Sequence, residues 1–413
     1  MAGLEPACGW IRCVGRRSAG FIPSGSEKYF DGIKLAGGRL TRVRQMTSWS
    51  GVNVMNQFSS PDGPGRGWWR WAVIGGAVAS VAAAFGYVGG WLAPQRLTAQ
   101  RIVDALQRNG GLHPGYRRNH AKGVCVSGYF EGNGEASKYS TAPFFRKVRT
   151  PVVGRFALPG GNPYAPDNSV PIRSLALRLT APDGEQWRTG MNSMPVFPVA
   201  TPKAFYEQTV AGRPDPKTGK PDPAKVAAFF AAHPETAAFR AWAKGAKPSS
   251  SFVTQSYYAL NAFYLVDAAG TRRAVRWRVV PELTAGAGEI AKAGEPNVLQ
   301  EDLTRRLAAG PQRWHLLITF AAPGDPVEDA TRVWPEPRTM IDAGTLVIER
   351  EEAQESGPCR DVNYDPTVLP EGIRVSGDPL LAARSAAYAD SYLRRTSEEA
   401  GVPGAARLVT EKR

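Results

Sequence analysis

Histidine and cysteine are scarce in this chain: four of each in 413 residues, beside six methionines. His113, His120, His233 and His315 are scattered; Cys8 and Cys13 sit near the start, and Cys125 and Cys359 stand far apart. No zinc spacing and no disulfide framework emerges, which argues against a metal bound through several His or Cys side chains. Any metal must arrive inside a cofactor. Acidic residues are few at one end, where ten Lys and Arg meet four acids in the first 70 positions. The chain carries a formal +14, but the excess is not gathered into one stripe, so no nucleic-acid partner is expected. Charge of either sign is missing altogether from Trp71 to Ala93, 23 residues reading WAVIGGAVASVAAAFGYVGGWLA.

That uncharged run is long enough to cross a bilayer, whose hydrocarbon core of about 30 Å needs roughly 20 apolar residues. Trp68, Trp69, Trp71 and Trp91 stand where interfacial aromatics would, and Arg66 and Arg70 hold the N-terminal flank on the cytoplasmic side. A cleaved signal peptide is the alternative, but its apolar core is usually about 7 to 15 residues. The expected organisation is a basic, poorly ordered cytoplasmic leader over 1–70, a transmembrane helix over 71–93, and one domain over 94–413 on the far side. Met46 and Met55 are alternative starts.

Beyond residue 94, a hydrophobic content of 43% with 10% aromatics supplies a sizeable core. LTAQRIVDALQRNGG reads as a short helix ended by Gly110-Gly111. Then the period changes to that of strands: KGVCVSGYFE, TPVVGRFALP, IRSLALRLTA and MPVFPVA, then SYYALNAFYLVDAAG, RRAVRWRVVPE, RWHLLITFAAPG and AGTLVIERE, with Ala268-Ala269-Gly270 turning a hairpin. Between the groups lie TPKAFYEQTVAG, a Pro/Lys/Asp-rich linker at 213–223, and the helical AKVAAFFAAHPETAAFRAWAKG; a last helix is expected over Asp378–Arg395. The expected fold is α+β: a closed antiparallel β-barrel of about eight strands with flanking helices, because closure removes exposed edges.

Two stretches carry chemistry. In ARSAAYADSYLRR, Arg384 precedes Tyr388 by four residues and Arg395 follows it by seven, intervals that return to one helix face. A tyrosine becomes a good metal ligand once deprotonated, and a guanidinium held at its oxygen favours that form. The same spacing also describes a basic surface helix with its tyrosine packed on the barrel. In RRNHAKG, His120 lies on or just before a strand, so that a barrel interior presents the imidazole while Arg117 faces a ligand anion. A lone histidine suits acid–base work near neutral pH, and a hydrogen-bonded core histidine is the other reading.

RRNHAKGVCVSGYFEGNG, KYSTAPFFRKVRTPVVGRFALPGG, GMNSMPVF, TRVWP and DPTVLPEGIRVSGDPLLAARSAAY, in that order across roughly residues 100 to 395, resemble the haem catalase family, specifically its small catalase-related peroxidases. The resemblance implies a catalase-like haem fold lacking the C-terminal helical domain, with heme b (iron protoporphyrin) as cofactor. It implies His120 as the distal histidine, Asn192 as the distal asparagine and Tyr388 as the axial ligand of the haem iron, with Arg384 as its partner. Arg117, Arg155 and Arg395 match arginines near the haem propionates, and Phe197 and Phe205 match aromatics lining the haem side. His120 would move a proton between the peroxide oxygens while Asn192 orients the peroxide.

The sequence also departs from full catalases. Arg118 and Asn119 replace apolar residues before the distal histidine, Ala157 stands at the distal serine position, Pro198 at a pocket phenylalanine position, and the chain ends 25 residues after Tyr388. A more open, more polar pocket and a shorter channel are expected. This ranks a peroxidase reducing hydrogen peroxide and organic hydroperoxides with an unknown electron donor ahead of a true catalase. An allene oxide synthase-like rearrangement and a noncatalytic haem carrier are the rivals. Composition and resemblance together suggest a bacterial inner-membrane protein, anchored through 71–93 with its haem domain in the periplasm.

Overall fold

A computed structural model describes residues 68–88 and 96–401, apart from 285, 287 and 288. The expected leader up to residue 67 and the last five residues of the expected span lie outside the described residues. Two units divide the chain, Met1–Trp71 and Ala72–Arg413. Of the first, only the opening turn of α1 (Trp68–Val88) is described. That helix begins three residues before the expected span, and its 21 residues cover about 31 Å at 1.5 Å each, with almost every side chain exposed.

The second unit is built on a closed barrel. After α2 (Ala99–Gly110), capped by the Thr98 hydroxyl and stopped at Gly111 with φ 85°, β1 (Gly123–Gly132), β2 (Arg149–Ala157), β3 (Ser174–Thr180) and β4 (Gln186–Asn192) pair in turn as antiparallel neighbours. Helices α3 (Pro202–Ala211), α4 (Pro223–Ala232) and α5 (Ala237–Gly245) then leave the barrel. The chain returns as β5 (Tyr257–Tyr258), β6 (Phe263–Val266) and β7 (Arg272–Pro281). β5 and β6 pair with opposite ends of β7, so they are two halves of one stave broken over residues 259–262. After α6 (Val298–Ala309), β8 (Gln312–Phe320) pairs with β7 and β9 (Met340–Ala353), and β9 pairs with β1. Together with the β4–β5 contact, Asn192 opposite Tyr258, this closes a ring of eight staves. β10 (Ile373–Val375) pairs antiparallel with β6, and α7 (Pro379–Gly401) ends the described chain.

The ring closes around an apolar core because alternate residues point inward. Leu175, Leu177 and Leu179 do so from β3, Trp187 and Met191 from β4, and Val275, Trp277 and Val279 from β7. Phe156 stacks on Phe252 with ring centroids 4.9 Å apart, and Trp187 meets Trp277 edge-on at 5.2 Å. The Trp277 indole N–H donates to the Thr189 hydroxyl at 3.0 Å. Each such side chain contributes about 1.5–3 kcal/mol by burial.

Seven of the eight expected strands form staves; the eighth is a correction. MPVFPVA forms no strand, and the stave is Gln186–Asn192 just before it. Pro195 and Pro198 lack the N–H a ladder needs, whereas Trp187, Thr189 and Met191 alternate inward. The helical excursion is likewise two helices, interrupted at His233-Pro234. The last helix runs on to Gly401, and α6 arises where no helix was expected, burying Leu299 and Leu303 one turn apart. A further correction concerns the barrel interior, which is filled with side chains and cannot present an imidazole to a ligand.

Candidate active site

The strands that bury Phe156, Leu175, Trp187 and Met191 turn the alternate residues outward, and these make the floor of a cavity on the barrel's outer face. Arg155 stands opposite Ala176, Ala176 opposite Gly190, and Ser174 opposite both Ala157 and Asn192. Ala157, Ser174, Ala176 and Gly190 carry almost no side-chain bulk, so this part of the floor is flat. A Cβ on Gly190 would come within 3.1 Å of the Arg384 Nη2. Residues of α2, α3 and α7 supply other walls of the cavity, among them Ile102, Leu106, Phe205 and Tyr388.

His120 enters this cavity from the turn before β1. Its backbone is left-handed, φ 57°, a conformation that costs a residue other than glycine of the order of 1 kcal/mol or more. The turn is held by Asn119, whose Oδ1 accepts from the His120 amide at 3.0 Å and from the Gly160 amide at 2.7 Å, while the Ala121 amide donates to the Gly160 carbonyl at 2.8 Å. Burial pushes the imidazole down to about 3, and the cations of Arg155 and Arg384 push in the same direction; a hydrogen bond with Asn192 offsets part of this. His120 lines the cavity, and with its pKa so lowered the ring rests neutral near pH 7. Asn192 ends β4, and its Oδ1 accepts from the Ser174 hydroxyl at 2.6 Å, which fixes the amide's orientation.

Arg384 and Tyr388 meet as their helical spacing predicts: Arg384 Nη2 donates to the Tyr388 hydroxyl oxygen at 3.3 Å. Arg384 is itself held by a residue that the sequence reasoning missed. Its Nη1 donates to Asn261 Oδ1 at 2.7 Å, and Asn261 Nδ2 donates to Asp378 Oδ2 at 2.8 Å. Asp378 caps α7, accepting from the Leu380 amide at 2.9 Å. Asn261 lies in the gap between β5 and β6, next to Leu260 at φ 64°. The broken stave thus supplies the group that aims Arg384.

Arg117, Arg155 and Arg395 collect on one side. Arg117 Nη2 donates to the carbonyls of Cys359 at 3.0 Å, Arg360 at 3.2 Å and Val362 at 3.0 Å, and Arg395 Nη1 donates to the Arg360 carbonyl at 2.5 Å. Arg155 donates to the Ala121 carbonyl at 3.1 Å and to Gln354 Oε1, while its Nε has no hydrogen-bond partner among the described residues. Gly123 leaves it room, since a Cβ there would lie 2.6 Å from the guanidinium carbon. Among the described residues neither Arg117 nor Arg155 forms an ion pair, and Arg395 has only the exposed Asp361 at 3.7 Å. Burial and Arg395 pull Arg117 down to about 10; burial lowers Arg155 and Arg395 as well, and Arg117 adds to the effect on Arg155. Buried guanidiniums remain charged, so such a group calls for an anion.

Phe197 and Phe205 stack at 6.0 Å and complete the set, so every expected site residue lines this one cavity. Two expected departures act differently. Arg118 pairs with Glu398 and donates to Gln107 Oε1 at 2.8 Å, tying α2 to α7, and the Asn119 amide oxygen is used up in its own turn. Both nevertheless stand in the lining of the cavity, as expected of a more polar pocket. Pro198 lies outside the lining, whereas Ala157 does open the floor. The expected absence of a disulfide is also corrected: Cys125 and Cys359 are joined, Cα atoms 5.3 Å apart.

The family model for Catalase matches residues 96–401. The chain is 39% identical to a catalase-related peroxidase of Synechococcus elongatus, over 80% of this chain and 97% of that protein. It is 29% identical to one of Mycolicibacterium paratuberculosis, over 74% of this chain and 97% of that protein. The catalase of Rattus norvegicus is 28% identical, over 67% of this chain and 55% of its own length. A solved bacterial catalase superposes with TM-score 0.62 at 22% identity, over 70% of this chain and 59% of that one. The chain belongs to the catalase family, which is one of haem-dependent oxidoreductases acting on peroxide. The residues fit that cofactor: a flat small-residue floor for a planar ring, a tyrosine hydroxyl beside a guanidinium for iron, and, for two carboxylates, three arginines of which only Arg395 has a carboxylate partner among the described residues.

Proposed function

We propose that the chain is a peroxidase that reduces hydrogen peroxide and organic hydroperoxides at the expense of an external electron donor. The observation that carries this reading is the meeting of His120, Asn192 and Tyr388 in one cavity with three arginines that lack a strong carboxylate partner. Haem, when bound, supplies the iron at which peroxide reacts and the electrons it exchanges.

The rest is the work of side chains. Tyr388 would hold the iron through its oxygen, with Arg384 donating to that oxygen and Asn261 keeping Arg384 in line. Arg117, Arg155 and Arg395 would take the propionates in charge-assisted bonds. Phe197 and Phe205 give the ring an apolar contact. His120, neutral at rest, takes the proton from one peroxide oxygen and delivers it to the other as water or alcohol departs. Asn192, oriented by Ser174, hydrogen-bonds the peroxide. Ala157 leaves space beside it for a substituent larger than hydrogen, which favours hydroperoxide and donor over confinement of a second peroxide. Both relatives named catalase-related peroxidase match along 97% of their length, which supports the same choice.

The domain reading belongs to the same proposal: residues 1–70 as leader, a 71–93 anchor that α1 overlaps, and 94–413 as the haem domain in the periplasm of a bacterial inner membrane. The Cys125–Cys359 disulfide supports an oxidising compartment independently of the helix. The test is oxygen release from hydrogen peroxide, measured beside dye-donor oxidation with hydrogen peroxide and an alkyl hydroperoxide. Strong donor oxidation with little oxygen is expected; vigorous oxygen release would make the chain a catalase. A rearranged hydroperoxide formed without any donor would make it a synthase of the allene oxide kind.

A further inference from the structure

The Cys125–Cys359 disulfide lies directly behind the arginine cluster. On β1, Cys125 is the cross-strand partner of Arg155. At the other end of the bond, Cys359 opens the short segment whose carbonyls at 359, 360 and 362 hold Arg117, and whose Arg360 carbonyl also holds Arg395. Gln354, just before it, accepts from Arg155. One covalent bond therefore joins the strand that flanks one arginine to the segment that fixes the other two.

Besides its bonds to the arginines, this segment is attached by the Arg360–Glu399 ion pair at 2.9 Å and by the Tyr116 hydroxyl, which donates to Glu355 at 3.2 Å. Both sulfurs are fully buried, in a small cluster with Val362 and Tyr364 that is separate from the main barrel core. The Cys359 amide donates to Cys125 Sγ at 3.2 Å. Gly357 passes so close that a Cβ there would lie 2.8 Å from both Cβ and Sγ of Cys125. Residues 355–362 are turns and coil outside any strand, held by short-range backbone bonds such as Gly357 N–H to the Ala353 carbonyl at 2.8 Å. Arg155 and Arg395 are buried and Arg117 partly so; the three cations repel one another, and the disulfide adds a covalent hold on the segment against that repulsion.

We propose that this disulfide completes the anion-binding side of the cofactor site, so that the chain retains haem tightly only after Cys125 and Cys359 have been oxidised. The inference rests on the haem reading above. In the oxidation each thiol loses a proton and the Sγ–Sγ bond forms; a disulfide of the compartment accepts the two electrons and leaves as two thiols. Cofactor retention is thereby tied to arrival in an oxidising compartment, and a chain still in a reducing one holds haem loosely.

The test compares full-length chain purified anaerobically from a reducing host, its two barrel thiols counted as free, with the same chain after oxidation by a disulfide donor. Both are loaded with haem, and transfer of haem to excess apomyoglobin is followed by absorbance. The thiol form should lose haem faster by about tenfold or more, as expected for loss of the shell that orients ligating groups. The Cys125→Ser/Cys359→Ser variant should match it, while both keep the far-UV circular dichroism of the oxidised barrel. Equal loss rates would overturn the inference, and so would collapse of the barrel in the thiol form, since the bond is assigned to the arginine segment rather than to the barrel. Failure of the oxidised chain to bind haem at all would instead overturn the reading of the site.

Discussion

At the scale of single residues, His120 combines a strained backbone with a ring kept neutral by its surroundings, and each property makes a prediction. His120→Ala should leave haem bound and lower kcat/KM for peroxide by about a hundred- to ten-thousand-fold; steady-state kinetics at fixed donor measures it, and unaltered turnover would remove His120 from the reaction. The pH effect follows from burial. The folded chain titrates this ring at about 3, whereas the unfolded chain does so near 6.5. Between those values only the unfolded state takes up the proton, so the contribution to stability is complete above about 6.5 and is lost as pH falls toward 3. Thermal midpoints of the apo chain should therefore fall more steeply with acid in the wild type than in His120→Ala. Parallel curves would contradict the burial argument. Gly190 makes a steric prediction: Gly190→Val should fill the floor and push on Arg384, lowering haem bound per chain while the barrel stays folded, as absorbance and circular dichroism together would show.

At the scale of elements, α7 carries the tyrosine and depends on a cap that also serves the site. Asp378→Ala removes the acceptor for the Leu380 amide and the partner of Asn261. Urea unfolding should register a loss of about 0.5–2 kcal/mol for the cap, and the haem spectrum should shift as Arg384 loses its alignment. A spectrum unchanged in that variant would detach the cap from the site. The elements also differ in how legible they were. Alternation in β3, β7 and β8 marks them plainly, because each points one row inward to a common core. The Arg384–Tyr388 interval is legible because one helix fixes it. Asn261 is not, since it acts from a gap between two half-staves and follows no period. The Cys125–Cys359 bond escapes for a related reason: barrel closure brings β1 back beside the segment after β9, and linear distance hides that return. The interior placement of His120 fails because period-two alternation does not say which face of a closed sheet bears the ligand.

For the whole molecule, the barrel's role is indirect. Its interior is packed, and its outer wall offers a flat floor against which α2, α3 and α7 complete a cavity. Family membership and this geometry both support the proposal that this cavity holds the haem. The apolar helix Trp68–Val88 predicts that the full chain sediments with membranes, whereas a chain starting at residue 94 is soluble and keeps its haem; fractionation with haem staining reads both, and a soluble full chain would refute the anchor. The most direct test of the central claim is the resonance Raman spectrum of the haem-loaded chain, excited in its phenolate-to-iron charge-transfer band. The account predicts tyrosinate ring modes that disappear in Tyr388→Phe. A spectrum without those modes, or one that Tyr388→Phe leaves unchanged, would show that the iron is held elsewhere.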